Sequence, residues 1–362
     1  VSRPISIVTE LYEPNLGGQE TRFARFAEAL AARGRKVTVY TSDHTGGSLP
    51  TETVSKGVHV VRHVVLRDYV RNGGRRLAPL VRYWRATRRL LRELTGTSGT
   101  VWINQMPVVH LLGTPDSRGL VLDWCEYPTY WMVNRFARRL AGRFRKGTAV
   151  SQAVADHVRG VSPGASIDVI RTPVPAPAGP APDRQVGTIV YVGRIVAHKN
   201  LGALAEAIRQ FNRNGGPHAR LLIAGDGPDR SSLEQKYGGN GQIQFLGVVD
   251  EAEKNRLLRS SWMVAVPGTR EGLPNVAAEA TVCGTPLLAS GSPRNSCGEF
   301  IRTNDLGVVA SGTGAADFLS ALHSIDGPSW DRWAGHASQL RSLYDPDENT
   351  RKLEDVLDRW ST

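Results

Sequence analysis

Cysteine is scarce. The 362 residues hold three, Cys125, Cys283 and Cys297, too few for a disulfide framework and without paired metal-ligand spacing, so a reducing compartment is expected. Long apolar runs are also missing. None approaches the roughly 18 residues that span a bilayer, and the opening stretch VSRPISIVTE reads as a strand rather than a signal peptide, so the expectation is a cytoplasmic protein. The nine histidines form no metal-binding pattern. Acid is under-represented against base, with 34 Asp and Glu facing 45 Lys and Arg. No nucleic-acid-binding signature accompanies that excess, which argues against a nucleic-acid partner.

What is present is a soluble, globular composition, 40% hydrophobic and 22% charged, in a chain long enough for about two domains. The positive charge is uneven. Residues 1–180 carry 26 basic and 13 acidic side chains, and residues 181–362 carry 19 and 21. The excess concentrates in residues 62–93, which hold ten arginines. A solvated helix face explains such a stretch, and so does peripheral contact with an anionic membrane or acceptor.

Residues 173–182, PVPAPAGPAP, place five prolines in ten positions and read as a semi-rigid connector. On each side short β-rich runs alternate with helical stretches. ISIVTE, KVTVYTS, GVHVVRHVV, TVWIN, GLVLDW and GTAVS precede the connector; TIVYVG, RLLIAG, IQFLG, WMVAVP and TPLLAS follow it. Helices are expected from about Glu20 to Arg33 and from Leu201 to Asn212. The pattern predicts an α/β chain with two tandem Rossmann-like doubly wound domains, binding ligand at the carboxyl ends of parallel strands. The expected limits are residues 1–172, a connector at 173–185, a second domain at 186–340, and a C-terminal helical segment, 341–362, returning towards the first domain.

Four stretches carry chemistry. LYEPNLGGQETRFARF runs from a strand through Gly17 and Gly18 into a helix, so its backbone N–H groups can approach an anion. RLLIAGDGPDR offers Gly225 and Gly227 after a strand, but Arg230 stands where a dinucleotide fingerprint needs a third glycine, which excludes a nicotinamide site. YVGRIVAHKN sets Arg194 and Lys199 beyond a strand end, a planar fork and a point charge suited to a diphosphate. EGLPNVAAE places Glu271 before a helix starting near Pro274, and Glu279 inside it. Asp345 and Asp347 in YDPDEN mimic a metal-binding Asp-x-Asp, but their place between two C-terminal helices reads as a turn or cap. No metal or other cofactor is expected.

GRIVAHKN, AGDGP, residues 245–290 and PNLGGQETRFARFAEALAARGRKVTVYT resemble, in order and spacing, the retaining GT-B glycosyltransferases of family 4. The resemblance implies a nucleotide-sugar donor, with uridine expected ahead of guanosine, and transfer of a hexose or N-acetylhexosamine to an acceptor hydroxyl. It implies that Glu279 holds the ribose, Glu271 the hexose, and Arg194 and Lys199 the diphosphate without a metal. Backbone groups of Gly272, Leu273 and Asn275 would add to the diphosphate site, and Gly247 and Val248 would lie near the base. The chain departs from the family where GLVLDWCEYPTYW lacks the usual first-domain histidine. Asn104, Asp123, Trp124 and Glu126 are the acceptor-side candidates there, with a core role open for Asp123. IRTPVP replaces the usual Asn-Gly-Val-Asp before the connector. A nucleotide-sugar epimerase or hydrolase, or a non-catalytic sugar-nucleotide binder, is the alternative reading. The aromatic-rich DWCEYPTYW would suit a small natural-product acceptor and the basic first half an anionic lipid or glycan; the acceptor's identity and the oligomeric state stay open.

Overall fold

The computed structural model describes residues 3–14, 17–71, 74–96, 99–112, 119–126, 146–180, 182–213, 218–239 and 241–360. They form two compact units, Val1–Pro173 with Pro346–Thr362, and Val174–Asp345.

The first unit contains β1 (Ile5–Val8), β2 (Val37–Asp43), β3 (Glu52–Ser55), β4 (Val58–Val65), the hairpin β5–β6 (Val70–Arg71, Gly74–Arg75), β7 (Thr100–Asn104), β8 (Leu120–Trp124), β9 (Lys146–Ala149) and β10 (Ser166–Val169). Its main sheet runs β10-β9-β8-β7-β1-β2-β4-β3, parallel except for β3. β7 and β8 are buried along their whole length, as expected for central parallel strands covered on both faces. Against them lies the helix Gly18–Ala32, whose Phe23, Phe26, Ala27 and Leu30 recur at helical spacing and are fully buried. Phe26 meets Trp102 edge-on at 5.4 Å. Each such aromatic contributes about 1.5–3 kcal/mol of burial.

The C-terminal helix Pro346–Arg359 belongs to this unit: Leu353, Val356 and Leu357 enter the same core, and Arg35 reaches Asp358 at 2.7 Å. The Pro-rich segment begins inside the second unit rather than as a free connector. Val174 donates its N–H to Tyr344 at 2.9 Å and packs on Ala278 and Val282. The second unit accordingly starts at Val174 and extends to Asp345, beyond the 186–340 expected.

The second unit carries β11 (Gln185–Val192), β12 (Arg220–Ala224), β13 (Ile243–Gly247), β14 (Ser261–Val266), β15 (Leu287–Ala289) and β16 (Gly307–Val309). The order is β13-β12-β11-β14-β15-β16, all parallel. Strand order reverses between β11 and β14 here, and between β1 and β7 in the first unit. Loops diverge at such points and leave a crevice at the strand ends.

Candidate active site

In the second unit, the loops leaving β11 and β14 carry the charged residues singled out from sequence. Glycines let two loops touch: a Cβ at Gly225 would collide with the carbonyl of Gly193, and one at Gly227 with that of Ile195. Both therefore serve close packing of the loops after β11 and β12. Tyr191 donates to the carbonyl of Arg194 at 2.8 Å, and Thr269 N–H to that of His198 at 2.8 Å. Asn200, in the left-handed region, donates to the carbonyls of Thr313 and Pro267. These bonds fix the 193–200 loop against the 267–271 loop.

The result is a tight ion pair. Lys199 Nζ donates to both oxygens of Glu271, at 2.7 and 2.8 Å, with side-chain exposures of 22% and 8%. Glu271 is itself held through its backbone, which accepts from Ser296 and donates to Arg294. His198 lies beside the pair. Its pKa is pushed down to about 4 by burial and then by the positive charges of Lys199, Arg270 and Arg194. The three cations make the surroundings of His198 electropositive, with Asp229 opposing them. Arg194 itself is exposed and makes no side-chain bond among the described residues.

The helix Asn275–Val282 begins at Pro274 with no side-chain cap, beside Gly272 and Leu273. Its first N–H groups therefore present the positive end of the peptide dipoles. Glu279, one turn in, is 5% exposed and accepts from Lys254 at 3.0 Å; Lys254 also binds Glu251 at 2.8 Å. Gly247 ends β13 under the guanidinium of Arg230, and Val248 follows with 66% exposure.

Gly17 and Gly18 belong to the first unit. Gly17 is the N-cap of the helix Gly18–Ala32, and the Glu20 carboxylate folds back onto it. At the β1–β7 crevice, Asn104 is 1% exposed; its amide donates to Thr9 at 3.0 Å while its Oδ1 has no partner among the described residues. Beside it Glu10, also buried, accepts from Arg75 through two bonds of 2.5 Å and from the Tyr69 hydroxyl.

Two acceptor-side candidates are corrected. Asp123 is fully buried and saturated: Arg22 donates to both its oxygens at 2.9 and 3.0 Å, and Thr148 and Cys125 donate as well. It holds the core instead of lining a site. Trp124 is 2% exposed and packs among Leu122, Ala149 and Val154. Glu126 is half-buried, its N–H donated to Gln105. The remainder of the aromatic stretch, residues 127–131, lies outside the described residues.

Residues 16–176 match the family described as Glycosyltransferase Family 4, and residues 179–325 the one described as Glycosyl transferases group 1. Together they span most of the chain in the order of its two units. The chain belongs to this glycosyltransferase family. A D-inositol 3-phosphate glycosyltransferase of Nocardia farcinica is 26% identical over 360 residues, 86% of this chain and 77% of the relative. A GDP-mannose-dependent alpha-(1-6)-phosphatidylinositol dimannoside mannosyltransferase of Mycobacterium tuberculosis is 35% identical over 34% of this chain, a match spanning about a third of the relative (31%). Among solved structures, sucrose-phosphate synthase from Thermosynechococcus elongatus superposes with a TM-score of 0.75 at 17% identity over 99% of both chains. Anabaena HepE in complex with UDP-glucose gives 0.72 at 15% identity, over 99% of this chain and 100% of that one. This likeness shows the GT-B fold.

For a glycosyltransferase of this family, sequence reading passed over three second-unit residues. Lys254 lies in the charged run DEAEKNR, which has no spacing to mark it, and only packing brings it to Glu279. Arg270 adjoins Glu271 and His198 adjoins Lys199, so both lay within quoted motifs, with no spacing to set them apart. In the first unit Glu10, Tyr69 and Arg75 were equally unmarked, being 59 to 65 residues apart.

Proposed function

We propose that this glycosyltransferase moves a hexose or N-acetylhexosamine from a nucleoside-diphosphate sugar to an acceptor hydroxyl, with retention and without a metal. The observation that carries the reading is the cluster of Arg194, Lys199 and Arg270 around a neutral His198, with Lys199 bound to Glu271 beside an uncapped helix end. In transfer, the bond from the anomeric carbon to the diphosphate oxygen breaks, and the acceptor oxygen bonds that carbon on the same face. The acceptor proton passes to the departing phosphate oxygen. Negative charge grows on the leaving diphosphate, where Lys199, Arg194 and the helix N–H groups stabilise it. Glu271 accepts hydrogen bonds from sugar hydroxyls while its partner ammonium turns to phosphate. Glu279, steadied by Lys254, accepts from the ribose.

Thermal-shift titration with uridine and guanosine diphosphates tests the donor class. A rise with the uridine compound alone supports the donor expected from sequence; a rise with guanosine alone assigns the base in the mycobacterial relative's name. A rise with neither overturns the reading. Turnover should survive excess chelator, and chelation that abolishes it refutes cation-based leaving-group stabilisation. Labelled donor without acceptor separates the epimerase alternative, which would return altered donor.

The acceptor is read as an anionic lipid or phosphorylated polyol. In the helix Leu77–Leu94, Leu77 is 75% exposed and forms with Ala78 and Val81 an apolar strip bordered by Arg82 and Arg85. Apolar insertion beside cations suits peripheral contact with an anionic surface. Sedimentation with phosphatidylglycerol vesicles, and not with phosphatidylcholine alone, should show it, weakening with salt.

A further inference from the structure

The donor residues stand at the carboxyl ends of the second unit's strands; the opposite end of the same sheet holds a cavity of about 520 Å³. That volume lies within the range of small-ligand pockets, about 300–1,000 Å³. Four rings line it, those of Phe211, Trp262 and Trp330 and the imidazole of His323, 4.8 Å from the Phe211 ring. It opens where β11 begins with a bulge between Gln185 and Ile189. Gly187 sits there at φ 79°, and a Cβ would press on the carbonyl of His218 at 2.5 Å. The bulge turns Val186 outward to 75% exposure at the rim. Such irregularities re-aim side chains beside functional sites.

The polar groups select the ligand class. Arg184 lines the cavity, but its guanidinium is committed to the carbonyls of Leu258, Ser261, Cys283 and Gly284 and the hydroxyl of Thr285. It lies 5.6 Å from the Trp330 ring. A second cation over that ring would meet Arg184, and an anion would meet the carboxylates of Asp326 and Asp331 at the rim. Asp326 is occupied in part by the Ser329 N–H at 2.8 Å. Asp331 and the indole N–H of Trp262 have no partner among the described residues. A carboxylate, an indole N–H and the imidazole of His323 beside aromatic faces suit a neutral ring with hydroxyls on its edge and C–H bonds on its face.

We infer that this cavity is a second carbohydrate-binding site, remote from the donor site, that holds a neutral sugar unit. A glycan anchored there would raise the local concentration of acceptor or product chains. The inference stands independently of the donor reading.

Maltotriose and methyl α-mannoside are titrated into the full chain, following tryptophan fluorescence and heat. Saturable binding of at least one sugar is expected, with Kd on the order of 1 mM. Asp331→Ala should weaken it about tenfold, as for a lost hydrogen bond to a charged group. Trp262→Phe should weaken it less, and both variants should keep the wild-type urea unfolding midpoint, which reports an intact fold. Absence of saturable binding by either sugar overturns the proposal. So does unchanged affinity in Asp331→Ala, or tetramethylammonium binding at the cavity more tightly than both sugars.

Discussion

The crevices of the two units use the same residue types in opposite ways. In the first unit, Asp123 faces Arg22 with exposures of 0% and 2%. Burial pushes His110 down to about 3 and His63 to about 4, so both stay neutral. In the second unit Lys199–Glu271 and Lys254–Glu279 pair at similar distances, but Lys199 is 22% exposed and Arg194 stands in solvent. A pair sealed from water can only be kept or broken, and losing one partner strands a charge. A pair open on one side can exchange its partner for a ligand at modest cost. Whether an ion pair builds the fold or handles substrate is thus decided by access, not by chemistry.

The largest effect tests the sealed side. Asp123→Ala leaves the Arg22 guanidinium buried and unpaired, so stability should fall by about 3–5 kcal/mol. Urea unfolding measures it; a loss under about 1 kcal/mol would mean that water or another group reaches Arg22, and the contrast between the crevices would collapse.

On the open side, Glu271→Gln should lower turnover by about 10²-fold, or roughly 2.7 kcal/mol of barrier. It also frees Lys199 from its counter-charge, so free nucleoside diphosphate should bind as well as before or more tightly. Calorimetry beside a turnover assay decides: weakened nucleotide binding with turnover kept would reverse the assignment. Lys199→Ala should cost about 1.5–3 kcal/mol in the transition state, with turnover falling more than donor affinity.

Glu279→Gln is expected to be milder and of another kind. It should weaken donor and free nucleoside diphosphate alike, by about tenfold, with turnover at saturation nearly unchanged. A selective loss of turnover would move Glu279 from ribose to reacting sugar.

The smallest effect is the pH dependence of ligand protection. His63, His110 and His198 all have pKa values below the 6.5 of a free histidine. Between about 6.5 and 4 the unfolded chain therefore binds protons that the folded chain does not. Their contribution to stability is present above 6.5 and is lost as pH falls. An anion beside His198 opposes the three cations and raises its pKa, so nucleoside diphosphate should protect more at pH 5.5 than at 7.5. Ligand protection that is flat across that range would place the diphosphate away from His198.

The sheet frameworks were legible because central strands are long apolar runs: β1, β2, β4, β7, β8 and β9, then β11 to β15, all stand where the runs predicted. The strands that escaped, β3, β10, β16 and the β5–β6 hairpin, are short and lie at edges or outside the main sheets. Their alternation is too brief to rise above loop composition: β3 is ETVS, largely exposed.

Within the site, local chemistry was readable and partnership was not. Sequence by itself determined the strand-end glycines, the acidic pair around a helix start, and the cations after β11, because each depends on neighbours a few residues away. Only the tertiary structure decided that Lys199 grips Glu271 across 72 residues and Lys254 grips Glu279 across 25. It also decided that Arg22, one of two arginines on its helix, is sealed against Asp123 across 101 residues. The physical reason is that a charge's role follows from its solvent access and its partner's distance. Both are set by how the strands order and the helices pack, and neither leaves a periodicity in the chain.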